Sequence, residues 1–497
     1  MNILSFEFFL FMGAVLIVYF ALPLGKRWAA LLIASAAAVL FAGSWSMVYL
    51  TAVALTTWSG ALVLAKLERG RKPLLALLLT LDIGGMMLLK YQGALTGWLG
   101  RIAPQAAIPA LNIALPLGLS YFTFQTAGYL IDVYRGKTVP QKDFLKFWLF
   151  AGYFPQLAQG PISTWREIGE PLLTGHAFDP VRFVSGFQLL LWGCFKKLVV
   201  ADRLAPTTAA LLNGEELPGW MIGGSVALYL VRLYADFSGG MDVVRGFSRM
   251  LGIELPLNFK RPFFAQSVAD YWRRWHITLG AWFRSYVLYP LTTSGTGIAL
   301  GTAAEKILGR KMGQLVPTAL ATLVIFVLIG LWHMASWNAL VYGGYFGAVM
   351  ALSILMDPVW KAMRKKLSLP KNGWMKPLRI LRTGMLVLIA QYFAFTNSPA
   401  QGLALFLGSF KDWKFERFAQ VVTGVMAPVE WVIAGIGISA MLAVDILCER
   451  KIDVCGRLAK AAFPLRWAVL LALLVATFVF GVYGEGYDGA AFLYTQF

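Results

Sequence analysis

Long apolar runs, broken by short basic loops, set the pattern of the chain. They fall near 4–22, 28–43, 46–65, 73–90, 144–160, 182–200, 219–237, 316–332, 337–356, 380–396, 427–447 and 467–484. A helix needs about 17 to 25 such residues to cross the hydrocarbon core of a bilayer. The pattern therefore predicts an all-α, polytopic integral membrane protein of roughly 11–14 helices, with Trp and Tyr near the run ends as interfacial anchors. No basic residue precedes the first run and no small-residue cleavage site follows it, so it reads as a retained helix rather than a signal peptide. From 112 to 300 the runs break into shorter pieces rich in Gly, Pro, Trp and Arg. Irregular backbone survives at membrane depth only where protein buries it or where it lines a wet cavity. A central funnel with re-entrant segments is the expectation.

Composition agrees with the periodicity. Of 497 residues, 58% are hydrophobic and 14% charged, too little polar surface for a water-soluble domain of this size. The loops 25–28, 66–73, 135–146, 305–314, 361–376 and 449–460 carry the basic residues. Lys and Arg are retained on the cytoplasmic side, which puts both termini outside the inner (cytoplasmic) membrane. This loop bias accounts for the net charge of +19 without nucleic acid. Membrane lipids, through anionic head groups, or an acidic soluble partner are the contacts it suggests. Cys194 lies in an apolar run, and Cys448 and Cys455 flank a cytoplasmic loop where a disulfide is not expected. No Cys/His pair has zinc-site spacing, so neither a metal nor a bound cofactor is expected.

The candidate chemistry is concentrated. The chain has three histidines, His176, His276 and His333. "LIGLWHMASWN" puts His333 between Trp332 and Trp337 at a break expected to be the turn of a helical hairpin spanning 316–356. An imidazole there needs a hydrogen-bond partner, so it is either a satisfied structural group or a base poised to take a proton from a hydroxyl. "ADYWRRWHITLGAWFRSYVLYP" (269–290) splits at helical spacing into an aromatic stripe with Trp272 and Trp275 and a basic stripe of Arg273, His276, Gly280 and Arg284. One reading is an amphipathic interfacial helix. The other has the arginines meeting donor phosphates. Asp236 ends an apolar run just upstream. It reads as the partner of a nearby arginine (Arg245 or Arg249) or as a residue that orients a catalytic group or donor.

The stretch "YADFSGGMDVVRGFSRMLGIELPLNFKRPFFAQSVADYWRRWHITLGAWFRSYVLYPL", followed by "GLWHMASWN", resembles the membrane-bound O-acyltransferases. "LPLGLSYFTFQTAGYLIDVYRG" and "YFPQLAQGPIS" extend the likeness. Within the family it is most similar to the bacterial branch of alginate, peptidoglycan and teichoic-acid acylation proteins. The resemblance implies one transmembrane domain over 1–497: a catalytic core at 112–340, C-terminal helices at 341–485 and an extracellular tail at 486–497. It implies an acyltransferase that passes an acyl group, with acetyl expected, from a cytoplasmic thioester toward an extracytoplasmic polysaccharide or peptidoglycan hydroxyl. The donor would be acetyl-CoA or an acylated carrier protein. An extracytoplasmic acyltransferase partner protein would finish the transfer.

The family's "LWHG" histidine corresponds to His333 as the catalytic residue, and its "WRRWH" histidine to His276. Met334 replaces the usual glycine, and "FSGGMD" stands where "FSGYSD" is common. The ending "FLYTQF" is similar to the terminus of the alginate and peptidoglycan branch and to a motif on the small partner of the teichoic-acid D-alanylation protein, where the tyrosine is proposed to carry the acyl group, which implies that role for Tyr494; from its residues alone the tail could equally be a membrane-surface anchor. Catalysis is expected from His333, His276 and Tyr494, and substrate or donor binding from Arg273, Arg284, Asp236, Trp272 and Trp332. A transporter or flippase of an acylated or lipid-linked intermediate is the alternative, since it too would need a central cavity and buried charge.

Overall fold

The computed structural model describes residues 4–102, 113–213, 217–367 and 375–483, and among them it is helical with no strand. Among the described residues, eight helices are long and apolar enough to cross a membrane: Leu24–Ala42, Ser44–Lys66, Arg71–Ile102, Pro180–Leu212, Arg310–His333, Trp337–Lys366, Pro428–Glu449 and Phe463–Phe480. The apolar helix Phe6–Ala21 is slightly shorter. The chain is a multi-pass membrane protein.

Besides that first run, three more of the twelve do not become such helices. The run at 144–160 forms two short buried helices, Phe144–Gly152 and Phe154–Gln159. Asp143 starts the first by accepting from the main-chain N–H groups of Leu145 and Lys146 at 2.9 and 3.3 Å, and Pro155 opens the second at a position where its missing N–H costs nothing. The run at 380–396 gives a helix of only 16 residues, Lys376–Gln391. The run at 219–237 continues into the charged segment that follows as Gly219–Met250, buried along most of its length.

That long helix is the spine of the core. It packs so closely against Pro180–Phe195 that a Cβ on Gly186 would lie 2.6 Å from the carbonyl oxygen of Gly246. Small residues at this crossing let the two backbones touch. Helix Pro428–Glu449 marks the two ends of the bundle. At one end Glu430 pairs with Arg203, which also donates to the Phe480 carbonyl. At the other, Glu449 accepts from Arg261 at 2.9 Å and Arg274 at 3.0 Å. The two helices of the His333 hairpin pack on each other, the second also meeting Val268–Trp272 and Lys376–Gln391. Its first helix ends at His333, and three residues later Ser336 caps the second by accepting from Ala339 N–H at 3.1 Å.

Candidate active site

The segment 269–290 is not one helix. It is Val268–Trp272, a turn, Ile277–Phe283, a π-helical stretch Arg284–Leu288 and Tyr289–Thr293. The break is at His276, which sits in the left-handed region at φ 45° and ψ 53°. Such a conformation costs a non-glycine residue about 1–3 kcal/mol and persists only where the surroundings impose it. Here the main chain on both sides is tied down: Lys260 N–H donates to the Arg274 carbonyl at 2.9 Å and Ile277 N–H to the Asn258 carbonyl at 3.0 Å.

The expected two-stripe surface is therefore split. His276 turns inward and is 2% exposed. Arg273 turns out to an exposed pairing with Asp270 at 3.5 Å, and Arg284 is exposed.

Around the buried imidazole the polar groups interlock. Asn258, 1% exposed, presents Oδ1 to the main-chain N–H of Thr278 at 3.1 Å, to the Thr278 hydroxyl at 2.9 Å and to His276 Nδ1 at 3.2 Å. The Thr278 hydroxyl in turn accepts from Ile162 N–H at 3.1 Å.

His276 and His333 wall the same cavity, of about 80 Å³, together with Trp272, Tyr229, Tyr342 and Asn338. Trp332 lies between the two histidines, its ring 6.4 Å from the His276 ring and 4.5 Å from the His333 ring, and it packs on Phe124 at 5.5 Å. Three buried polar atoms on residues of this wall have no hydrogen-bond partner among the described residues: the Tyr229 hydroxyl, Trp272 Nε1 and Asn338 Oδ1. Unpaired polar groups are costly inside a protein, and these three are groups that a polar ligand in the cavity could satisfy. The helix end that carries His333 is held from outside the hairpin. Lys90 donates to the Trp332 carbonyl and Tyr91 to that of Leu331, two carbonyls that a helix terminus leaves without internal partners.

A second cavity of about 350 Å³ lies toward the Glu449 end. Lys196, Arg245, Lys260 and Arg261 give it a basic wall, with Asp242 and Asp445 also facing it. Asn258 belongs to this wall as well. The Asn258–His276 contact is thus the partition between the two cavities.

Asp236 stands elsewhere. It is 1% exposed and pairs with Lys197 at 2.6 Å, the same ammonium meeting Asp202 at 2.7 Å. The expected arginine partner is not the one found. Arg245 and Arg249 lie further along the helix, where Arg245 meets Asp242 at 3.4 Å and Arg249 meets Glu254 at 2.9 Å. Asp236, Arg273 and Arg284 line neither cavity. Tyr494 lies outside the described residues. No cluster of metal-binding side chains occurs among the described residues.

Sequence reasoning passed over Asn258, Lys90, Tyr229 and Asn338. Lys90 had a usable signal: a basic residue deep in an apolar helix is a functional candidate by default.

Comparison with known proteins finds a family match for part of this site. Residues 140–302 match the model of the membrane-bound O-acyltransferase family. The resemblance drawn from the sequence is borne out there, and the match includes His276 and Asn258. The chain is 31% identical over 308 residues to "Probable alginate O-acetylase AlgI" of Azotobacter vinelandii, covering 61% of this chain and 55% of that protein. It is 29% identical over 274 residues to the peptidoglycan O-acetyltransferase of Helicobacter pylori, covering 49% and 48%. To the teichoic acid D-alanyltransferase of Bacillus subtilis it is 25% identical over 302 residues, covering 60% and 72%. The chain spans about half the length of the alginate O-acetylases it matches.

Proposed function

From the premise that residues 140–302 match the membrane-bound O-acyltransferase family, we propose that this chain is a membrane O-acyltransferase that moves an acetyl group from a cytoplasmic thioester toward a hydroxyl of a cell-surface polymer. The observation that carries the reading is the single cavity shared by His276 and His333, walled by residues with three buried polar atoms that lack a partner among the described residues. Two neutral imidazoles, placed by different parts of the chain, suit proton transfer at an acyl carbon.

In the step itself the acceptor hydroxyl oxygen attacks the thioester carbonyl. The C–O bond forms, the C–S bond breaks, and the hydroxyl proton passes through His333 to the departing thiolate. The Tyr229 hydroxyl and Trp272 Nε1–H are donors suited to the carbonyl oxygen as it gains charge.

The donor enters from the Glu449 end, which faces the cytoplasm of a cell bounded by its inner membrane. Six loops with excess Lys and Arg support that orientation. The basic wall of the second cavity, formed by Lys196, Arg245, Lys260 and Arg261, suits the phosphates of acetyl-CoA or of a carrier protein's prosthetic arm better than exposed Arg273 and Arg284 do. The acceptor side opens at His333. Relatives named for alginate, peptidoglycan and teichoic acid support a polymer acceptor served by an extracytoplasmic partner protein. On this reading the hydroxyl that attacks the thioester is that of Tyr494; a polymer hydroxyl then attacks the tyrosine ester, a new C–O bond forms as the phenol C–O bond breaks, and the polymer hydroxyl's proton returns to the tyrosine oxygen.

The test is transfer by the purified chain in sealed vesicles, with labelled acetyl-CoA at the face bearing the basic loops and acceptor at the other. Donor-dependent release of free CoA together with label in ester linkage is the expected result. Label that crosses still attached to its carrier, with no thioester cleaved, would replace this reading with transport.

A further inference from the structure

The polar atoms around His276 dictate which of its ring nitrogens carries the proton. A side-chain amide presents an acceptor oxygen on one branch and a donor nitrogen on the other, and the surroundings decide which is where. At Asn258 the decision is forced. The branch that meets Thr278 faces a main-chain N–H at 3.1 Å, and a main-chain N–H can only donate. An amide nitrogen there would set two donors against each other, so this branch is the oxygen. The other branch, Nδ2, points to Met241 Sδ at 3.5 Å, a weak acceptor that suits a donor. The Thr278 hydroxyl accepts from Ile162 N–H, which leaves its own hydrogen for Asn258 Oδ1 at 2.9 Å.

The third group facing this oxygen is His276 Nδ1, at 3.2 Å. Facing an atom that can only accept, Nδ1 must carry hydrogen. In a neutral imidazole the lone pair then belongs to Nε2. The left-handed turn at His276 and the burial of Asn258 and Thr278 keep the ring in this register.

We infer that Asn258 is a positioning residue, locked by Thr278, that holds His276 as the Nδ1–H tautomer and so makes Nε2 the basic nitrogen of the ring. The inference rests on the proposed acyl transfer for its consequence, though not for its geometry. His276 becomes a hydrogen-bond acceptor or proton acceptor through Nε2, while its other nitrogen is occupied at the partition toward the basic cavity. The Ile162–Thr278–Asn258–His276 chain ties the segment 161–163 to the same ring, so its parts come from three separate stretches of sequence.

The direct test is 15N NMR of the detergent-solubilised full chain labelled at histidine, with the His276 resonances assigned by their loss in His276→Gln. In the unmodified protein Nδ1 should be protonated and Nε2 bare. Asn258→Leu removes the acceptor and should shift His276 toward Nε2–H. It should also lower kcat for acyl transfer by about 10- to 100-fold, by analogy with loss of the group that orients a metal-ligating histidine. Asn258→Asp keeps an acceptor oxygen and should restore the protonated Nδ1 and part of kcat. A bare Nδ1 in the unmodified protein would overturn the inference whether or not the variants fold. An Asn258→Leu protein with the tautomer or kcat unchanged would overturn it too. If the unmodified protein transfers no acyl group, the functional reading falls while the tautomer measurement still decides this one.

Discussion

The ammonium of Lys90 donates to the main-chain carbonyl of Trp332, and it lies 5.0 Å from the centre of the same indole. Helix Arg71–Ile102 thereby grips the last turn of the helix that carries His333. A cation at a helix C-terminus is also favoured by the helix dipole. Lys90→Met keeps the length of the side chain and removes the donor. It should cost about 1.5–3 kcal/mol of stability, the range for a hydrogen bond to a charged group, and should lower acyl transfer because His333 is no longer held. Thermal unfolding in detergent beside a transfer assay checks both parts; a variant with wild-type values in both would show that the grip is incidental.

Two glycines set the spacing of the His333 hairpin. A Cβ on Gly330 would lie 2.2 Å from the Ala339 carbonyl oxygen, and one on Gly343 2.4 Å from that of Phe326. Backbone cannot yield as a flexible side chain can. Gly343→Ala should destabilise the protein by about 1–3 kcal/mol through overpacking, read as a lowered unfolding midpoint. An unchanged midpoint would mean that the helices separate freely.

Lys197 joins Asp202 and Asp236 in the interior. Breaking a buried pair from one side leaves uncompensated charge and typically costs about 3–5 kcal/mol. Lys197→Met should therefore lose folded protein, and Asp236→Asn should be milder because an amide can still accept from the ammonium. Equal stability of Lys197→Met and the unmodified chain would remove the structural role assigned to this cluster.

Tyr229 offers the opposite signature. Its buried hydroxyl has no partner among the described residues, so Tyr229→Phe should leave stability unchanged or slightly raised. If the hydroxyl contacts the reacting carbonyl, transfer should fall about tenfold, the equivalent of one hydrogen bond of ~1.4 kcal/mol. Full transfer by Tyr229→Phe would take the hydroxyl out of the site.

The legible parts of this chain were those written in local pattern. The helical hairpin with His333 at its turn follows from two apolar runs and the break between them. The irregular middle did enclose cavities, because a Gly-, Pro- and Arg-rich backbone at that depth needs somewhere to hide its polar groups. What local pattern could not show was pairing between distant segments. Residues 269–290 have good helical spacing, yet His276 breaks the helix because its neighbours Arg274 and Ile277 pair with Lys260 and Asn258. Asp236 had two arginines nearby in sequence, but Lys197 on the adjoining helix reaches it first. Trp272 and His276, expected on different stripes, share one cavity, while Arg273 and Arg284 were separated from it by the same break.

The central claim is that His333 and His276 act on one acyl group inside one cavity. It is tested most directly by single-turnover transfer of labelled acetyl from donor to acceptor, comparing the unmodified chain with His333→Gln reconstituted at equal amounts of folded protein. Loss of a positioned base should slow transfer by about 10²- to 10⁴-fold while donor binding stays unchanged. Transfer by His333→Gln at close to the unmodified rate would contradict the account.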